Sequence, residues 1–401
     1  MPEPSSTDHP ADVVIAGGGV AALEAMMALA DLARDRVRVA LVAPEADFVN
    51  RPMSVAEPFG LGEAQHYPLD PIAADFGASV VHATVQAVDA PGRRVVLRSG
   101  DTVAYDTLIL APGARALPAF DDAITFGVPG AAAEMRDLLA QLEHGEVSRV
   151  AFVSPTLAGW TLPLYELALL TARHAAAAGV EAGLTVVTPE ARPLEAFGET
   201  VSETVGGLLA AAGVEFAGST STDIVDGVVR LQPSRRVRET RVVALPLIRG
   251  PRLEGVPAEP RFGFIPVDDH GRVDGLKDVY AAGDATHHLI KQGGLAAQQA
   301  DAVASHVAAR HGAPVQPAPY RPVLRGMLFA GDARHFLQEP SGAAPVLWWP
   351  PTKIAGRYLA PYLYARDSTA APGPEPAGFI RLDVPVEEPG IAAARAPRPA
   401  S

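Results

Sequence analysis

The chain has 401 residues, no cysteine, and 46 acidic against 33 basic residues, for a formal net charge of −13. That charge excludes a phosphate-reading basic face and broad electrostatic attachment to anionic lipid. The missing thiols exclude disulfides, thiolate metal sites and any cysteinyl link to a cofactor.

Apolar residues make up 48% of the chain, ample for two or three domains. No apolar run approaches the roughly 20 residues of a membrane span and none reads as a signal peptide, so a soluble cytoplasmic protein is the expectation. Residues 1–10 are polar and proline-rich and read as disordered. Asp12-Val13-Val14-Ile15-Ala16 is a buried-strand run that breaks at Gly17-Gly18-Gly19 into an Ala/Leu/Met-rich helix over about 20–33. The turn reads Gly17-x-Gly19-x-x-Ala22, a form of the dinucleotide fingerprint. Glycines there let the backbone approach a pyrophosphate, which the free N–H groups and dipole of the helix N-terminus favour. A strand at Val37–Val42 follows, then a loop over 44–58 carrying Phe48, Asn50, Arg51 and Pro52. Segments 79–85, 94–98 and 102–105 alternate apolar and polar residues between turn signals and read as a small antiparallel meander. Tyr105 to Ala114 is a buried strand ending in the tight turn Ala111-Pro112-Gly113.

A second α/β unit follows, with strands at 149–153, 184–187 and 214–216 and helices at about 163–177 and 201–212. Such alternation implies a parallel sheet with right-handed crossovers. Short strands over 223–248 lead back to the first unit. The strand at Val279–Ala282 ends in Gly283-Asp284, which suits an acceptor carboxylate aimed at a sugar-like hydroxyl, and a helix spans 293–310. The expected fold is therefore α/β, with two Rossmann-like domains. The first (11–115 and 246–312) is split by the second (116–245), and a capping segment (313–366) precedes a disordered Ala/Pro-rich tail (367–401).

These pieces together resemble the pyridine nucleotide-disulfide oxidoreductase superfamily over roughly 10–365. Within it the chain is most similar to sulfide:quinone oxidoreductase, flavocytochrome c sulfide dehydrogenase flavoprotein and type II NADH dehydrogenase. The resemblance implies non-covalent FAD. It places the pyrophosphate on Gly17, Gly19, Val20 and Ala22, and further contacts at Arg51-Pro52 and Ala111-Pro112-Gly113. Gly283-Asp284 would hold the ribityl chain, and the helix led by Lys291-Gln292-Gly293-Gly294-Leu295 would point its N-terminus at the flavin N1–C2=O edge, where a reduced flavin is anionic. The chain departs from the pattern at Ala43, where an acid usually bonds the adenosine ribose, and Glu45 takes its place two residues on. Its second nucleotide turn, Val153-Ser154-Pro155-Thr156-Leu157-Ala158-Gly159-Trp160-Thr161, has one glycine. Pro163-Leu164-Tyr165-Glu166 resembles the sulfide-oxidising members, whose cysteines are absent here.

Two residues are candidates for catalysis by that resemblance. Glu166 would move a proton beside the flavin, although an acid in a first helical turn needs no such role. Lys291 would lie near the flavin or an acceptor pocket, and a solvated lysine is the alternative. No metal is expected, since the adjacent His287-His288 has no supporting carboxylates, and Ser154 has no nucleophile-elbow context. The stretch 347–364 holds Ile354, Tyr358 and Tyr362 at helical spacing after Thr352 as N-cap. It reads as a lid over the flavin or as an interfacial patch that attaches the protein peripherally at the inner membrane face, and the lid is preferred.

Three functions stand open. The first passes electrons from a small donor through FAD to a quinone-like acceptor. The second is an NAD(P)H dehydrogenase, supported by the second α/β unit and Glu190 beyond its strand. The third is a non-catalytic flavin-binding or redox-sensing protein. No partner beyond a small-molecule donor and acceptor is implied, and the sequence leaves the oligomeric state open.

Overall fold

The computed structural model describes residues 11–155, 159–225, 228–232, 235–237, 241–331, 334–338, 356–367 and 379–380. The first domain begins with β1 (Ala11–Ala16), α1 (Val20–Leu32), β2 (Val37–Ala43), α2 (Leu69–Asp75), β3 (Ser79–His82) and β4 (Thr107–Leu110). The second comprises β5 (Ile124–Thr125), α3 (Ala131–Glu143), β6 (Arg149–Val153), α4 (Leu162–Ala177), β7 (Gly183–Val187), α5 (Glu199–Ala211), β8 (Val214–Ala217) and β9 (Arg241–Ala244). The chain then returns with β10 (Val279–Ala281) and α6 (Gly293–Arg310), followed by the pair β11 (Arg325–Phe329) and β12 (Arg334–Gln338), and by α7 (Leu359–Asp367).

Both five-stranded sheets are parallel. The first has the order β10-β4-β1-β2-β3 and the second β5-β9-β6-β7-β8. Helices cover one face of the first sheet, and the strands at 85–97 with the 253–276 segment cover the other, which is why Val13-Val14-Ile15-Ala16 and Leu108-Ile109-Leu110 are buried without alternation. α1 is buried nearly all round between its sheet, α6 and α7, so it too lacks a polar face. An antiparallel pairing of 115–117 with 247–249 links the outgoing and returning crossings between the domains.

The meander differs from expectation. Ser79–His82 pairs with β2 as the edge of the parallel sheet, and the meander is made by 85–89, 94–97 and 102–104 instead. The apolar-polar alternation of 79–85 conceals a change of sheet at Ala83-Thr84. The loop over 44–58 also carries structure, a short strand at 47–50 and a 3-10 helix over Arg51–Phe59.

At the C-terminus, α7 lies on the first domain, with Leu359 and Leu363 in the core of α1 and α2. The Tyr358 and Tyr362 hydroxyls donate to Asp31 and Asp75 at 3.0 and 2.6 Å, and Tyr67 donates to Asp367 at 2.8 Å. Tyrosines so engaged are not free to enter a bilayer. No residue of 356–367 lines the large cavity, so this part is not a lid over it. Helix begins at Leu359, and residues 347–355, with the expected N-cap Thr352, lie outside the described residues. So do 1–10 and nearly all of the tail. Among the described residues no helix is long and apolar enough to cross a membrane.

The N-terminus of α7 is held by an acid from α1. Glu24 is fully buried and its carboxylate accepts from the Tyr358 and Leu359 amides at 2.8 and 2.7 Å. Asp301 of α6 packs against it. Burial and the Glu24 charge push the Asp301 carboxyl well above the usual range. Burial raises the Glu24 carboxyl too, but the backbone N–H groups and the Arg357 charge oppose that rise, so the proton the pair shares is favoured on Asp301.

Candidate active site

A cavity of about 720 Å³ runs from the first domain into the second, a size typical of ligand pockets. It opens where three neighbouring strands of the first sheet end, the edge strand β10 and the adjacent β4 and β1. β1 delivers Gly17-Gly18-Gly19, β4 delivers Ala111-Pro112-Gly113, and β10 delivers Gly283-Asp284. Ligands of open parallel sheets bind at these carboxyl ends because loops there, free of the ladder, are packed around helix N-termini.

The turns are cut to fit one another. Gly17 has φ +139°, and a Cβ on it would lie 2.1 Å from the Ala111 carbonyl oxygen. Gly19 has no atom within 4 Å of such a Cβ, so that position faces open cavity. As the N-cap of α1 it offers no side-chain bond, and the helix has no acid in its first turn. The amides there are left for a ligand. Across the cavity, a Cβ on Gly283 (φ +77°) would lie 2.9 Å from the Ala21 side chain. The Gly283 turn is stapled by Gln299, whose Oε1 accepts from the Gly283 amide at 2.7 Å.

At one end Glu45 is exposed on the rim beside Asp47, just beyond β2. At the other end Glu166, Lys291, Trp160 and Met327 form the wall. Glu166 is buried in the first turns of α4, and its Oε1 accepts from the Phe329 amide at 2.7 Å, which ties α4 to β11. Lys291 is buried, with Nζ donating to the Thr286 carbonyl at 2.5 Å and sitting 3.6 Å from the centroid of the Phe264 ring. Burial lowers its pKa to about 8, against the opposing pull of Asp284 and Glu259. Asp284, on the cavity wall, is desolvated, which raises its carboxyl, and the Lys291 charge resists that rise.

Lys291 therefore makes stability depend on pH. Between pH 8 and the ordinary lysine value of 10.5 the folded chain has released a proton that the unfolded chain still holds. Stability rises with pH wherever the unfolded state binds more protons. Urea midpoints at pH 8 and 10 are expected to show this upward contribution in the native chain and to lose it in Lys291→Met.

Of the residues singled out from sequence, Gly17, Gly19, Val20, Glu45, Arg51, Ala111, Pro112, Gly113, Glu166, Gly283, Asp284 and Lys291 all line the cavity. Ala22 does not; it is buried under the first turn of α1, where its small size admits the sheet. Gly294 and Leu295 also stand off the wall, and Gly293 takes that place. The Leu295 amide is spent on Gln292 Oε1 at 2.8 Å, and its side chain enters the second core. Pro52 sits at the start of the 3-10 helix over Arg51–Phe59. Gln298 binds the Gly294 and Val323 backbone, a staple with no reach into the cavity. Sequence reasoning missed Gly326-Met327, which close the far end. A glycine inside the strand 325–329 was the available signal, since a Cβ there would press on Phe197 at 3.0 Å.

The second nucleotide turn is differently employed. Gly159 donates to the Leu289 carbonyl at 3.2 Å and accepts from the Lys291 amide at 3.3 Å, which knits it to the first domain. Thr156-Leu157-Ala158 lie outside the described residues. Glu190, beyond β7, is buried and accepts from Tyr165 Oη at 2.6 Å, Thr161 Oγ1 at 3.1 Å and Thr188 Oγ1 at 3.3 Å. His287 and His288 stack at 5.0 Å between centroids, and burial with the neighbouring positive charges lowers His288 to about 4. Among the described residues no group of three or more metal-ligating side chains occurs.

Comparison with known proteins places this geometry. The pyridine nucleotide-disulphide oxidoreductase family matches residues 11–300. Two NADH dehydrogenase-like proteins of Mycobacterium tuberculosis are 29% identical over 261 residues, covering 62% of this chain and 63% of theirs. The chain thus spans less than two thirds of the curated relatives it matches. Sulfide:quinone oxidoreductase of Aquifex aeolicus superposes with a TM-score of 0.73 at 18% identity over 90% of both chains. NDH2 of Plasmodium falciparum in complex with NADH gives 0.56 at 15% identity over 70% of this chain and 65% of that one. FAD is the cofactor that the cradle of glycines, the unspent amides of α1 and the rim carboxylate fit. With that cradle formed wholly within the matched span, the chain belongs to the pyridine nucleotide-disulphide oxidoreductase family.

Proposed function

We propose that this protein is an FAD-dependent oxidoreductase that takes electrons from a small donor other than a nicotinamide and passes them to a quinone-like acceptor. In this reading the Gly17–Val20 turn holds the pyrophosphate, Glu45 bonds the adenosine ribose and Asp284 the ribityl chain. Arg51 and the Ala111-Pro112-Gly113 turn flank the cofactor. FAD, when bound, supplies the chemistry by accepting an electron pair and releasing it to a second substrate. The chain supplies the rest. Lys291 sets a cation, strengthened by low local dielectric, where negative charge accumulates. Glu166 is fixed by the Phe329 amide at the same end, within the wall that excludes water.

The observation that carries the choice of donor is Glu190. An acid in that position would serve a nicotinamide dinucleotide by bonding its ribose, but three hydroxyls of the protein already occupy this one. The knitting of Gly159 to 289–291 supports the same reading. A thiol relay has no residues to use, because the chain has no cysteine.

Anaerobic mixing with NADH, followed at the visible flavin band, tests this. An unchanged oxidised spectrum over minutes is expected. Saturable bleaching would overturn the choice of donor in favour of an NADH dehydrogenase, the reading suggested by the names of the mycobacterial relatives. A flavin that no small reductant reduces would point instead to a non-catalytic sensor.

A further inference from the structure

Arg325 is a buried cation whose partners the described residues do not supply in full. Its side chain is 3% exposed, and its Nε and Nη1 have no hydrogen-bond partner. Burial alone lowers its pKa, with no carboxylate of the described residues set against it. A buried guanidinium left this way costs several kcal/mol relative to an apolar residue of the same size. Folding does not require such a side chain here; its neighbours Leu324 and Leu328 pack into the second core without difficulty.

Its position suggests what the charge is for. Successive side chains of a strand alternate between faces, so Arg325, Met327 and Phe329 share one face of β11. Met327 lines the cavity, and Phe329 packs on Met53 and Ala56 of the 3-10 helix whose Arg51, Ser54 and Val55 also line it. The Arg325 carbonyl is held by Gln292 Nε2 at 2.8 Å, and Gln292 is itself on the cavity wall. Arg325 thus shares its strand face with a cavity-lining methionine two residues on. Methionine, with three rotatable bonds, is the residue that most easily swings aside.

We propose that Arg325 is the anchor for an anionic small molecule, bound by a carboxylate group at the Glu166–Lys291 end of the cavity, with Met327 as its movable cover. This rests on the preceding reading only in naming that molecule as the electron donor. An anion there completes the guanidinium hydrogen bonds, in the charge-assisted form that is roughly twice as strong as a neutral one. It also explains why an arginine that weakens the fold is kept, as binding sites commonly are at some expense of stability.

The test is thermal unfolding of the purified protein, as isolated with its flavin, in acetate, benzoate or chloride at equal ionic strength. Without carboxylate, Arg325→Met is expected to unfold about 2–6 °C higher than the native chain. At carboxylate concentrations well above saturation, one of the two carboxylates is expected to raise the native midpoint by about 3–5 °C over chloride, and the Arg325→Met midpoint by less than about 1 °C. A lower midpoint for Arg325→Met without carboxylate would show a structural cation and overturn the proposal. Equal stabilisation of both proteins, or none of either, would do the same. So would loss of the effect in Arg51→Met rather than Arg325→Met. Flavin absorbance per chain, read on the same samples, reports separately on the FAD assignment, and a colourless protein that still shows the Arg325-dependent shift would sink that assignment alone.

Discussion

Gly17→Ala is expected to yield a protein without flavin and less stable than the native chain by about 2–4 kcal/mol. Two costs coincide at this position. The backbone has φ +139°, where L-residues are strained, and the new methyl would lie 2.1 Å from the Ala111 carbonyl oxygen. That oxygen cannot yield cheaply, because the Ala111 amide is bonded to the Ala16 carbonyl at 2.8 Å and the two turns are fixed edge to edge. Gly19→Ala provides the contrast. Its φ is −90° and its methyl would meet nothing of the protein within 4 Å. It is expected to cost no more than about 1 kcal/mol of stability, the loss of a glycine N-cap, while weakening FAD at least about 10-fold, since the methyl occupies the pyrophosphate approach. Urea midpoints and flavin-to-protein ratios of the two variants separate the roles. Equal flavin content in native and Gly19→Ala proteins would show that the pyrophosphate does not lie on this turn.

The second large effect is expected at Glu24. Glu24→Gln keeps the volume but turns an acceptor into a donor facing the Tyr358 and Leu359 amides, and leaves a buried N–H opposed to N–H. A loss of about 2–4 kcal/mol follows, together with faster proteolysis within 356–367 as α7 detaches. Asp301→Asn is expected to cost less than about 1 kcal/mol, because Asp301 already acts as the donor and an amide N–H repeats that bond. The pair also has a pH signature. Asp301 in the folded chain holds a proton that the unfolded chain releases in the ordinary carboxylate range, so its contribution is lost as pH rises through the raised value. Stability profiles against pH should flatten in Asp301→Asn. An unflattened profile would place the proton elsewhere.

Glu24 also marks the limit of what the sequence reveals. In an Ala/Leu/Met-rich helix whose acids are Glu24 and Asp31, either one reads as a solvent-facing residue, and the partners of Glu24, Tyr358 and Leu359, lie more than 300 residues away. Local pattern was sufficient where chemistry is local: the glycine turn behind the apolar run 13–16 and the Gly283-Asp284 turn both fall on the cavity. It misled where one pattern serves two environments, as at 79–82, where alternation suits a sheet edge as well as a meander. Gln292 lines the cavity, as its place in the Lys291–Leu295 segment implies, yet amide side chains are equally suited to stapling backbone, which is what Gln292, Gln298 and Gln299 also do. Arg325 stayed hidden because an arginine in a strand carries no mark of burial until its neighbours are placed.

The strand order of the first sheet has a consequence for how this protein is made. β10 completes the sheet beside β4, yet Ala281 leaves the ribosome about 170 residues after Leu110, about 10–35 s later at typical rates of synthesis. The second domain, whose strands lie in one uninterrupted stretch from Ile124 to Ala244, is finished inside that interval. Its core can close while the flanking half-sheet still waits for its last strand. Cofactor capture, which needs the Gly17 and Gly283 turns together, is therefore among the final events in the birth of the chain.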